Sequence, residues 1–132
     1  MSAWQEPKTD WRADDFFRLA DYQRITGNIL WLAQEAASQL NQAVSLASMT
    51  AAAAGMPCRP AFLNAVESNA SLLAGRFRPD QAPPPRVFAG GDAFWDHADL
   101  NRLEQNLLQT RFWLEWKNLS MPYLGTFYLG GS

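Results

Sequence analysis

Residues 14–30, DDFFRLADYQRITGNIL, align without a gap on residues 92–108, DAFWDHADLNRLEQNLL. Seven positions are identical: Asp14/Asp92, Phe16/Phe94, Ala20/Ala98, Asp21/Asp99, Arg24/Arg102, Asn28/Asn106 and Leu30/Leu108. Typical residue frequencies give roughly one identity in such a window. A fainter third copy lies between them, where Leu63, Asn64, Val66 and Asn69 keep the order of large apolar, amide, apolar and asparagine. A chain that repeats itself in this way is constrained to build quasi-equivalent elements.

Hydrophobic spacing makes those elements helices. Ile25, Ile29, Leu32 and Ala36 mark one apolar face of a helix predicted over 18–45. Phe62, Val66, Ala70 and Leu73 do the same for a second helix over 59–76, with Pro60 suited to its first turn. Leu103, Leu107, Thr110 and Leu114 form the inner face of a third over 97–117, which Asn118 to Pro122 is expected to end. Asp96 as N-cap places Asp99 where its carboxylate bonds back to the cap amide. The aromatic pairs Phe16-Phe17 and Phe94-Trp95 fit hydrophobic staples before two of the helices.

Between and around the helices the chain reads as irregular. Residues 1–13 form an N-terminal arm anchored by Trp4 and Trp11, and 78–91, with three consecutive prolines, form a Pro/Gly-rich connector. Residues 121–132 form a C-terminal tail, β-prone over Tyr123–Leu129. The expected fold is mainly α: a small three-helix bundle with an internal pseudo-repeat, a short C-terminal strand or hairpin, and an irregular N-terminal arm. It is one domain over 1–132, long enough to bury about two-thirds of its unfolded surface.

On a helix the repeated phrase sets Asn28, Asn69 and Asn106 beside the apolar stripe at the same phase each time. A buried amide left unpaired costs roughly 1–3 kcal/mol, so each asparagine is expected to bond a backbone turn or the start of a neighbouring helix. Arg24 and Arg102 each follow an aspartate, Asp21 and Asp99, by three residues, the spacing of an intrahelical pair. The two clear copies are expected to pack about a local pseudo-twofold.

Little in the chain suggests chemistry. One cysteine, Cys58, and one histidine, His97, offer no zinc set, and a Cys–His dyad would need a third orienting group. The aspartates at the helix starts read as caps. The chain is read as a non-enzyme with no cofactor and no metal. A formal net charge of −2 argues against a nucleic-acid partner. The first ten residues lack the apolar core of a secretory signal, and no run approaches the roughly 18 apolar residues of a membrane helix. Six Trp, eight Phe and three Tyr read first as filling the core of a small domain, with an interface or sugar platform as the functional reading. Trp4, Trp113, Trp116, Tyr123, Phe127 and Tyr128 are the candidate interface residues, because Trp and Tyr are enriched where surfaces meet.

The order Trp11, Asp15, Phe17, Asp21-Tyr22, Arg24-Ile25, Asn28, then Asn64-Ala65-x-Glu67-x-Asn69, then Asp99-Leu-Asn-Arg-Leu-Glu104 and a Leu-Gly tail, resembles a module of phage and prophage tail-region proteins of Firmicutes. The resemblance covers about three-quarters of the chain, and its motifs are structural. It implies a virion assembly or adaptor subunit, homo-oligomeric or particle-bound, contacting other tail subunits and assembled in the host cytoplasm. The alternative is a glycan- or surface-recognition module that uses exposed aromatics. Trp95 beside Asp92, Asp96 and Asn101 is its best site.

Overall fold

The computed structural model describes residues 4–41, 43–49, 60–77, 85–88 and 94–123. They contain helices α1 (Leu19–Gln39), α2 (Pro60–Phe77) and α3 (His97–Tyr123), each packed on the other two. The molecule is thus mainly α, a three-helix bundle. The apolar stripes meet at its centre: Ile25, Ile29, Leu32 and Ala36 from α1, Leu63, Val66, Ala70 and Leu73 from α2, and Leu103, Leu107 and Leu114 from α3 are buried. Burying one such aliphatic side chain contributes about 1.5–3 kcal/mol, so this stripe is the main source of stability. Phe62 lies at the margin, half-buried, and Leu63 takes the deeper place.

Two helix ends differ from the sequence expectation. Helix α1 stops at Gln39 instead of running to 45. Leu40 donates its N–H to the Ala36 carbonyl, and Asn41 takes φ 54°, the left-handed conformation that asparagine tolerates and that closes a helix. Beyond it, Val44, Leu46 and Met49 pack on the core from an irregular segment. Helix α3 continues through 117 to Tyr123. Pro122 lies in its last turn, where the missing N–H forfeits one bond and the helix ends a residue later. The β-prone stretch that was expected from Tyr123 therefore starts inside a helix. Its remainder, 124–129, with Phe127 and Tyr128, lies outside the described residues, as do Cys58, Asp92, 78–84 and 89–91 of the connector.

The two repeated helix starts are closed differently. At α3 the box is reciprocal: the Asp99 N–H donates to Asp96 Oδ1 at 2.8 Å, and the Asp96 N–H donates to Asp99 Oδ2 at 3.1 Å. At α1 only half survives. The Arg18 N–H donates to Asp21 Oδ2 at 2.8 Å, but a guanidinium has no lone pair to offer the helix amides in return. The staples pack on one another, Phe17 on Phe94 at 5.1 Å and on Trp95 at 5.8 Å between ring centroids, while Phe16 faces solvent.

Replacing Arg18 by Asn supplies the missing acceptor in backbone already suited to a cap. Urea unfolding should show a gain of about 1 kcal/mol. The bond from the Asp99 amide holds the Asp96 carboxyl below its ordinary value of 3.8. A depressed carboxylate contributes stability above its unfolded pKa and loses that contribution as pH falls through the folded value. Asp96→Asn should therefore flatten the decline of stability below about pH 3.8, read from thermal melts across an acid series.

Candidate functional site

The polar core of the bundle is built around two carboxylates, Glu104 on α3 and Glu67 on α2, each with a side chain 1–2% exposed. Glu104 accepts from Arg24 Nε and Nη2 of α1, both at 2.7 Å, from the Trp11 indole Nε1 at 2.6 Å, and from the Lys8 backbone N–H at 3.0 Å. Glu67 accepts from Arg102 Nη1 and Nη2 of α3 at 3.0 and 2.7 Å, from the Trp95 indole at 2.9 Å, and from the Arg86 backbone N–H at 3.1 Å. The donor sets match: one forked guanidinium, one indole, one backbone amide. Four donors fill the roughly four lone-pair positions of a carboxylate. Neither glutamate retains a position for a substrate or metal, and no cluster of metal-ligating side chains occurs among the described residues.

The sets match although their sources in the chain differ. Trp11 lies ten residues before Asp21, whereas Trp95 lies four before Asp99. The arginines also differ in approach, Arg24 side-on through Nε and Arg102 end-on through both Nη atoms. Both keep the aspartate three residues earlier as a second partner, at 2.8 Å for Asp21 and 3.5 Å for Asp99. Arg86 also bonds Asp99 and stacks its guanidinium over Phe88. The Glu104 hydrogen bonds raise the Arg24 pKa above its ordinary value. For Arg102, burial pulls the other way but is outweighed by Glu67 and Asp99, and the net shift is again upward. A cation with a raised folded pKa gives its full stability below the unfolded value, so both clamps keep their arginine charge well into alkali.

Around the carboxylates, asparagines grip irregular backbone. Asn28 accepts from the Gln5 N–H and donates to the Gln5 carbonyl, at 2.9 and 2.8 Å. Asn69 holds Ala47 in the same way at 2.7 and 2.8 Å, Asn64 holds Phe88 at 2.7 and 2.8 Å, and Asn101 holds Trp11 at 2.7 and 3.0 Å. Each amide thus pairs one residue's N–H and C=O, as a neighbouring strand would. The sequence placed Asn28, Asn69 and Asn106 beside the apolar stripe, and all three are buried. The partner of Asn28 and of Asn69 is an extended strap rather than a turn or a helix start. Asn106 reaches the Ala70 carbonyl of α2 at 3.4 Å.

The sequence reading missed Glu67 and Glu104, because a glutamate on a helix usually faces water. One signal could have found them: Asn64-x-x-Glu67-x-Asn69 and Asn101-x-x-Glu104-x-Asn106 share one spacing, next to buried positions. It also gave the arginines an intrahelical role, whereas their shorter bonds run between helices. The pseudo-twofold is corrected as well. Arg24 of α1 meets Glu104 of α3, but Arg102 of α3 meets Glu67 of α2, so the copies are related head to tail. A twofold would require Arg102 to return to α1, where Thr26 occupies the glutamate position.

Among the candidate interface residues, Trp4 packs on Trp31 of its own chain at 5.3 Å, with Arg111 over both rings at 4.9 and 5.0 Å. Trp113 is half-buried against the core and meets Trp116 edge-on at 5.6 Å. Phe112 and Trp116 are 54% and 58% exposed and, with Trp113, line an open apolar depression. The backbone of Tyr123 closes α3. Trp95, the centre of the glycan alternative, is 4% exposed and spends its indole N–H on Glu67, while Asn101 is committed to Trp11, so no sugar can stack there. His97 is exposed. No protein-family model, curated protein or solved structure matches this chain.

Glu104→Leu would leave the Arg24 charge, an indole and an amide without their acceptor. Chemical denaturation should show a loss of about 3–5 kcal/mol, the usual cost of removing one partner of a buried ion pair. Asn28→Leu would orphan only the Gln5 backbone, and a smaller loss of roughly 1–3 kcal/mol is expected in the same assay.

Proposed function

We propose that this protein is a non-catalytic assembly or adaptor subunit of a phage tail-like particle, acting through protein–protein contacts. The observation that carries the reading is the apolar surface on α3, where Phe112 and Trp116 are more than half exposed beside the half-buried Trp113. Large aromatic side chains left exposed together mark a contact site more often than scattered apolar residues do. The polar residues support the same reading from the other side. The buried acids and most of the asparagines are spent on holding the chain together, which suits a rigid part better than an enzyme. The particle itself is named by the resemblance of the repeated motifs, and the natural partners are other tail subunits or further copies of the chain.

The reading is tested by producing the tagged chain in a Firmicutes host carrying an inducible prophage and asking whether it sediments with the assembled particles. Phe112→Ser with Trp116→Ser should leave the thermal midpoint nearly unchanged, because both side chains are more than half exposed. It should reduce co-sedimentation at least about tenfold, the effect of losing interface anchors worth about 1.4 kcal/mol or more. A wild-type chain that stays in the soluble fraction would remove the assembly reading.

A further inference from the structure

Three eight-residue segments take the same frame in the three helices: DYQRITGN at 21–28, FLNAVESN at 62–69 and DLNRLEQN at 99–106. Only the last carries every polar group of the pattern. The α1 copy keeps aspartate and arginine but has Gln23 and Thr26 where α3 has Asn101 and Glu104. The α2 copy keeps Asn64 and Glu67 but has Phe62 and Ala65 where α3 has Asp99 and Arg102. The final asparagine is present in all three.

The clamps follow this frame in one direction. The fourth position of α1, Arg24, meets the sixth of α3, Glu104, and the fourth of α3, Arg102, meets the sixth of α2, Glu67. Continued once more, the rule pairs the fourth position of α2, Ala65, with the sixth of α1, Thr26. The circuit then closes on three helices. Both members of the third clamp are missing, and the two positions that would carry it, Thr26 and Ala65, are half-buried. The leftover groups look after themselves: the Thr26 hydroxyl donates to the Tyr22 carbonyl one turn earlier at 3.0 Å, and Ala65 has no polar atom to satisfy.

We infer that the bundle is one helical unit used three times in a head-to-tail circuit, with the clamp deleted from both sides of the α1–α2 junction, and that this junction is the hinge along which the bundle parts. Of the two clamps seen among the described residues, both involve α3, and α1 and α2 each take part in one. Separating α1 from α2 at this junction leaves Glu104 and Glu67 paired. Separating α3 from either neighbour unpairs a buried carboxylate.

The placement is tested by rebuilding the lost clamp. In a double-mutant cycle, Thr26→Glu and Ala65→Arg together should raise the folding equilibrium constant by about tenfold over the product of the single effects, a coupling typical of residues in contact. Independent effects would overturn the circuit. Should Thr26→Glu alone fail to fold, Thr26→Cys with Ala65→Cys in a Cys58→Ser background decides the same point. A short bis-maleimide should bridge the pair within one chain, and two cysteines that react singly without bridging would overturn it. The hinge is read by native-state hydrogen exchange of the wild-type chain. Amides of α3 should exchange more slowly than those in the middle of α1 and α2, and equal or faster exchange in α3 would overturn the hinge.

Discussion

Two glutamates buried in the bundle set the terms for the rest of the structure. A carboxylate removed from water costs several kcal/mol unless charge and hydrogen bonds replace its hydration, and the two sites meet that requirement alike. A guanidinium arrives from the neighbouring helix, an indole N–H and a backbone amide from an irregular segment. The arginines cannot lose their charge in any workable pH range, so each clamp is permanent once formed. Apolar side chains supply most of the stability, but they would tolerate a small slide or rotation of one helix on another. Four directed donors at a fixed carboxylate would not. The clamps therefore fix the relative placement of α1, α2 and α3, and the apolar stripes fill the space so defined.

The same groups tie down chain that has no regular structure of its own. Residues 4–11, 43–49 and 85–88 make no helix or strand, yet Gln5, Ala47, Phe88 and Trp11 are each gripped at both N–H and C=O by an asparagine. A primary amide is the smallest side chain that offers one donor and one acceptor side by side. That explains why asparagine, rather than serine or glutamate, holds these positions. The straps in turn carry Lys8, Trp11 and Arg86 to the buried acids, so straps and clamps depend on each other. The N-terminal arm, expected to be anchored by Trp4 and Trp11, is in this way part of the bundle from Trp4 onward, held through Gln5 and Lys8 as well.

Among the described residues, the two buried acids and the asparagines around them are spent on contacts within the chain. The exposed aromatic group on α3 lies beyond the clamps, and altering Phe112 or Trp116 touches neither buried glutamate. The exposed aromatics and the buried polar core are thus separate features of the chain.

The sequence alone determined the helices and much of their depth. Apolar spacing is a local property, and it located the stripes of Ile25, Val66 and Leu103 together with the phase of Asn28, Asn69 and Asn106. Local chemistry also explains the box of Asp96 and Asp99. The ends of α1 and α3 were less legible. Leu40-Asn41 closes one helix through a single left-handed residue, and Pro122 at the other comes too late in its helix to prevent it. Tertiary structure alone decided the partners. Whether Arg24 bonds its own helix or the next depends on what the neighbouring helix presents at that height, and no periodicity encodes that. The burial of Glu67 and Glu104, the head-to-tail order of the copies and the use of Trp11 and Trp95 as equivalent donors all arise from residues far apart in the chain. They become neighbours only when three amphipathic helices have to share one core.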